Sequence, residues 1–135
     1  MKLRNIHITT FLLILTSATI TASANAAESP AVSERLSAWQ VAGASSFSSE
    51  HGQALWQSTQ DGRSCGSCHG KDLTQPGKHQ RTGKSIAPMA PSANPKRLSN
   101  AAFMEKWLKR NCQWTFQREC TPQEKGDLIR WLSQQ

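Results

Sequence analysis

Cys65-Gly66-Ser67-Cys68-His69 constrains this chain more than any other feature. Two cysteines separated by two residues suit several chemistries: a redox dithiol, half of a zinc site, or a cofactor attachment point. The histidine directly after the second cysteine narrows the choice. In C-x-x-C-H the two thiols add to the two vinyl groups of one porphyrin as thioethers. The histidine is then held under the iron as its proximal ligand. No second C-x-x-C lies nearby to complete a zinc site. The sequence therefore predicts one covalently bound haem c on Cys65 and Cys68, with His69 on the iron.

The start of the chain agrees with that chemistry. Lys2 and Arg4 precede a mostly apolar or small run from Ile6 to Ile20, and Ala24-Asn25-Ala26 is a small-x-small cleavage site. Those features in that order make a secretory signal peptide. The alternative, a retained anchor, needs roughly 18–20 apolar residues to span a bilayer. This run is shorter and interrupted by Thr and Ser. Cleavage after Ala26 divides the chain into a signal peptide, 1–26, and one domain, 27–135, delivered to the periplasm. Covalent haem attachment takes place outside the cytoplasm, so motif and signal support each other. No later stretch is apolar enough to cross a membrane.

Composition adds less. The formal net charge of +7 falls to +5 once Lys2 and Arg4 are removed. A basic surface steers acidic partners towards it, which suits a redox partner protein such as another cytochrome. With no dense basic run and no nucleic-acid motif, nucleic acid is not an expected partner. All five Trp lie after residue 26; they suit packing round a porphyrin and an ordinary core equally well.

The chain reads as helix, helix, haem-binding turn, long loop, helix, short loop, helix, without internal repeats or a competing strand pattern. Ser29-Pro30 starts a helix with Val32, Leu36 and Trp39 on one face and Ala42 next along it. A second helix runs over 49–58 with Leu55 and Trp56 inward, and Asp61-Gly62 turns the chain before Cys65. Lys71 to Pro95 holds Pro76, Pro88, Pro91 and Pro95 and reads as a loop. Loops that long are uncommon without a task, and wrapping one haem face would be one. Ser99 or Asn100 caps a third helix that ends near Asn111 and turns Phe103, Trp107 and Leu108 inward. Thr121-Pro122-Gln123-Glu124 is a capping box opening the last helix, with Leu128, Trp131 and Leu132 as its apolar face.

Two questions stay open at the level of residues. Cys112 and Cys120 have no following histidine, so they bind no second haem. In an oxidising compartment they pair as a structural disulfide closing the loop 113–119; free thiols or a redox-active bridge are the alternatives. The sixth iron ligand decides between an electron carrier and a gas binder. His79, Met89, Met104, Asn111 and several lysines follow the motif. Met89, in a Pro-flanked loop, would give a low-spin electron carrier, although methionine also serves simply to fill apolar gaps. No paired acids and no distal histidine suggest a catalytic apparatus, so no enzymatic activity is expected.

A longer set of residues carries a family resemblance. Arg81-Thr82-Gly83-Lys84-x-Ile86-Ala87-Pro88, Ala90-Pro91-Ser92 and Pro95-x-Arg97 come first. Glu105-Lys106-Trp107-Leu108, Arg110-Asn111-Cys112, Arg118-x-Cys120-Thr121-Pro122 and Glu124-Lys125 follow. The series resembles the sphaeroides haem protein family, small periplasmic high-spin class I cytochromes c that bind oxygen, and it covers nearly all of 27–135. The resemblance implies an all-α class I cytochrome c fold, about four helices around one haem, and a Cys112–Cys120 bridge. It also implies that Asn111 is the distal ligand of the oxidised iron. On reduction that amide detaches and leaves the site to O2 or NO. A neutral amide oxygen is a hard, weak-field donor better matched to ferric than to ferrous iron. The type member of that family carries an aliphatic residue where this chain has Met89.

Overall fold

A computed structural model describes residues 28–135. The signal-peptide reading of 1–26, and its boundary at Ala27, lie outside the described residues. Helix α1 is Pro30–Val41, α2 Ser49–Gln57, α3 Cys65–His69, α4 Ala101–Phe116 and α5 Pro122–Leu132. A two-residue hairpin, β1 Gly77–Lys78 antiparallel to β2 Ser85–Ile86, sits in the long loop.

The first, second and last helices form where the sequence places them, and their caps say why. The Ser29 side chain accepts from Val32 N–H at the start of α1, with Pro30 in the first turn. Ser48 caps α2 in the same way. Thr121 and Glu124 make the reciprocal capping box of α5. Each cap satisfies backbone donors that the first helical turn leaves unpaired. Asp61 and Gly62 both adopt positive φ, 48° and 72°, in a tight turn closed by the Gln60–Arg63 bridge.

Val32, Leu36 and Trp39 of α1 meet Trp56 of α2 and Leu128, Ile129 and Leu132 of α5 in one buried cluster. The α2–α5 crossing is close because Gly52 lies on it. A methyl group there would stand 2.0 Å from the carbonyl oxygen of Asp127. Gly126 leaves room for the Phe47 ring in the same region.

Helix α4 departs from expectation. It runs five residues past Asn111, to Phe116, before Gln117 ends it in the left-handed region at φ 57°. Residues 112–116 contain no Gly or Pro to stop it, so Asn111 and Cys112 lie within the helix rather than at its end. The Cys112–Cys120 disulfide is present, with Cα atoms 5.6 Å apart. It joins the last turn of α4 to the start of α5 instead of closing a free loop. The inward face also differs. Ala101, Met104, Cys112, Thr115 and Phe116 are buried, whereas Phe103 and Trp107 are 52 % and 39 % exposed. In α5, Ile129 is buried and Trp131 only partly so. The C-x-x-C-H segment, read as a turn, is itself the one-turn helix α3. The strand-free reading misses the hairpin because two-residue strands carry no alternation to detect.

Candidate haem site

Helix α3 owes its start to Ser64, whose side chain accepts from Ser67 N–H while the Ser67 hydroxyl accepts from Ser64 N–H. Gly70 ends it at φ 79°. This cap fixes Cys65, Cys68 and His69 on a single turn. Cys65 faces the cluster of Cys112, Phe116 and Cys120. Burial raises its thiol pKa to about 11, although hydrogen bonding to the backbone and to Thr115 opposes the rise. A redox dithiol works through a thiolate with a lowered pKa, so this environment disfavours that use of C-x-x-C. Both thiols are free.

His69 packs against Trp56, ring centroids 5.3 Å apart. Desolvation, and then the charge of Arg97, lower its pKa to about 4. The imidazole is thus neutral at physiological pH, the form that binds metal. Its Nδ1 is buried without a hydrogen-bond partner among the described residues. A partly buried neutral imidazole beside two free thiols on one turn fits covalent haem with histidine ligation.

The long loop is organised around this helix. Gly77 lies so close to it that a methyl group there would be 2.3 Å from Cys68 O and 2.8 Å from His69 Cα. Gln80 N–H donates to Cys68 Sγ at 3.4 Å. Further on, Met89 and Ala90 N–H both donate to Leu73 O at 2.9 Å. Arg97 donates to Pro88 O at 2.8 Å and to Ala87 O at 2.7 Å. The Arg97 charge also acts on His69, so the residue that fastens Ala87 and Pro88 influences the imidazole. Met89 itself is partly buried against the main core.

Helix α4 brings the other candidate. Asn111 is exposed and shares a stripe with Phe103, Trp107 and Trp114, at helical spacings of four, four and three. Thr115, which meets the Cys65 thiol, lies one turn beyond Asn111. Arg97 stands in the sequence only as part of the family pattern, and neither Gly77 nor Thr115 is marked by any motif. The Pro76-Gly77 pair was the available signal for the close approach; Thr115 offered none, because its role depends on how α4 packs.

A family model described as "Domain of unknown function (DUF1924)" matches residues 42–132. The chain is 47 % identical over 105 residues to cytochrome c-type protein SHP of Cereibacter sphaeroides, covering 74 % of this chain and 81 % of that protein. The chain belongs to the sphaeroides haem protein family. Its fold agrees: the structure of oxidised SHP, described as an oxygen-binding cytochrome c, matches with a TM-score of 0.72 and 45 % identity, over 77 % of this chain and 96 % of that one. Cytochrome c'' of Methylophilus methylotrophus is also similar, 35 % identical over half of this chain and 47 % of its own length. Its oxidised crystal structure matches with a TM-score of 0.61 and 28 % identity, over 76 % of this chain and 89 % of that one. As a member of this family the chain is a class I cytochrome c with one covalently bound haem c, in the electron-transfer and ligand-binding class. Among the described residues no helix is long and apolar enough to cross a membrane.

Proposed function

We propose that the chain is exported, cleaved after Ala26, and works in the periplasm as a redox protein that binds diatomic gases, rather than as an enzyme. Cys65 and Cys68 hold the haem and His69 is the proximal ligand. Asn111 would hold the oxidised iron from the distal side and would release it on reduction, which would leave room for O2 or NO. Bound haem supplies a redox-active iron with an axial position for a small ligand. The chain supplies what selects that ligand. Folding of α4 holds the short Asn111 amide in place, so a weak donor does not have to be ordered at the moment it binds.

The placement of Thr115 carries this reading. It touches Cys65, and Asn111 sits one turn away on α4, so the amide is carried by the helix that packs on the haem-binding turn, whereas Met89 packs against the main core and its N–H is bonded to Leu73 O. Phe103, Trp107 and Trp114 supply flat apolar surface of the kind a porphyrin covers. Two relatives lend support: SHP is an oxygen-binding cytochrome c, and the solution structure of cytochrome c'' concerns haem-ligand detachment.

CO binding to the reduced protein tests it. Wild type and Met89→Leu should bind CO readily, and Asn111→Ala should alter the oxidised spectrum without closing the reduced site. The rival reading, an electron carrier with Met89 as sixth ligand, requires a low-spin spectrum in both states with a sulfur-to-iron charge-transfer band when oxidised. It also requires that Met89→Leu open a site that is closed in wild type and in Asn111→Ala. That pattern would overturn the gas-binding reading.

A further inference from the structure

The charge of the described chain is unevenly distributed. Residues 73–104 contain Lys78, Arg81, Lys84, Lys96 and Arg97 and no carboxylate. The other described residues carry nine cations and nine carboxylates, so this one stretch holds the entire net charge. Among the described residues every side-chain ion pair also lies outside it, from Arg35–Glu105 to Arg130–Glu28. Arg97 is engaged with backbone carbonyls, but Lys78, Arg81 and Lys84 are exposed and free of acidic neighbours in sequence.

The hairpin collects those three. Its strands pair Lys78 with Ser85, and His79 N–H donates to Lys84 O at 2.8 Å. Gly83 turns at φ 68°, and a methyl group on it would meet Lys78 Cε at 3.7 Å, so the Lys78 stem lies along the turn next to Lys84. Thr82 N–H donates to His79 Nδ1 at 3.2 Å, fixing the tip that carries Arg81. The base of the hairpin rests on α3, with Gly77 against Cys68 O and Gln80 N–H on Cys68 Sγ. A hairpin carrying three exposed cations without ion-pair partners among the described residues is thus anchored at its base beside Cys68.

We infer that the β1–β2 hairpin is the docking surface for an acidic electron-transfer protein, whose redox centre it brings to the Cys68 edge of the haem. This rests on the reading that Cys68 carries the haem. The partner's reduced centre would lose one electron and the ferric iron would gain it, and the Asn111 amide would then leave the iron as proposed above; no covalent bond of either protein changes. Unpaired cations on a preformed tip attract an acidic face at long range and lose little conformational freedom on contact.

The test uses the holoprotein and a reduced acidic flavodoxin as probe. Lys78→Gln/Arg81→Gln/Lys84→Gln removes three positive charges from the hairpin. Ser37→Glu/Gln40→Glu/Val41→Glu changes the net charge equally on the exposed face of α1. Dissociation constants from calorimetry at low salt and the second-order reduction rate are measured for both variants, with haem content read from the haemochrome spectrum. The hairpin variant should weaken binding and slow reduction by about tenfold or more, and its residual binding should respond less to salt. The α1 variant should change both by about threefold or less. Equal losses in the two variants would reduce the effect to net charge and overturn the proposal. So would binding of wild type to anionic phospholipid vesicles through the same three residues, with no affinity for the flavodoxin. Wild type lacking covalent haem would instead refute the attachment reading, and the calorimetry would still report on docking.

Discussion

The two halves of this domain are stabilised differently. The α1, α2 and α5 half holds most of the buried apolar core: Val32, Leu36, Trp39, Leu128, Ile129 and Leu132 are each at most 4 % exposed, Ala101 and Met104 of α4 close the cluster, and glycine lets α2 and α5 touch backbone to backbone. The α3, hairpin and α4 half buries thiols and an imidazole only partly. It sets Phe103, Trp107 and Trp114 outside the buried protein cluster and relies on discrete ties such as the disulfide, Arg97 and Gly77. The first half is built by apolar packing and the second by polar and covalent fastenings around the cofactor chemistry. The helical half is thus a platform, and the chemistry is fastened onto it.

Glu105 links the halves. Its carboxylate on α4 accepts from Trp39 Nε1 of α1 at 3.0 Å and from Lys125 Nζ of α5 at 2.6 Å. Burial raises its pKa, but these bonds and the Lys125 charge more than reverse that, and the net shift is downward. Its ionised form is the one the fold holds.

The contrast can be broken from either side. Gly52→Ala forces a methyl group into the Asp127 carbonyl and should cost about 3 kcal/mol or more. Both halves should be lost together in a thermal melt followed by far-ultraviolet circular dichroism. A variant that melts like wild type would show that the α2–α5 crossing is not the platform. Cys65→Ala/Cys68→Ala should come next. Haem should no longer survive acid extraction, and the domain should fold poorly. Hydrogen exchange should accelerate most in α3, the hairpin and α4 while α1 and α5 keep the greater protection. Uniform acceleration would mean that the halves are one cooperative unit.

Removing the Cys112–Cys120 bridge, as the double alanine variant, should cost about 2–3 kcal/mol for so short a loop. Non-reducing mass spectrometry of wild type should find the two linked. The variant should retain haem but bind CO faster, because Asn111 loses its pinned neighbour; unchanged CO kinetics would detach the disulfide from the distal site. The smallest effect belongs to the α5 cap. Glu124 has a lowered pKa, first through Arg118, and despite partial burial its backbone bond at Thr121 lowers it further. A depressed carboxylate contributes stability above its unfolded pKa and loses it as pH falls through the folded value. Glu124→Gln should therefore cost roughly 1 kcal/mol or less at neutral pH, given its exposure. Denaturant titrations should bring the variant and wild type together below about pH 4. A gap that persists there would place the effect in packing rather than charge.

Much of this was legible along the chain because its causes are local. The capping residues at Ser29 and Thr121, the Asp61-Gly62 turn, and the spacing of Val32, Leu36 and Trp39 act within one or two helical turns. The adjacency of Cys65, Cys68 and His69 sets the cofactor chemistry without help from the rest of the fold. What the sequence obscured was set by distant partners. No residue between Cys112 and Phe116 announces whether α4 continues, and the side of that helix turned inward depends on the α1 and α5 surfaces it meets. Phe103 and Trp107 therefore read as packed on the other helices, whereas they lie outside that cluster on the stripe that carries Asn111. Distance along the chain makes Met89 a candidate ligand, and nothing local to it foretells that its N–H bonds Leu73 and its side chain packs on the main core. In the same way Lys78, Arg81 and Lys84 are unremarkable as a sequence. A two-residue pairing and the close fit of Gly77 on Cys68 gather them into one patch, because contacts between segments far apart in the chain, rather than propensities within them, decide which side chains become neighbours.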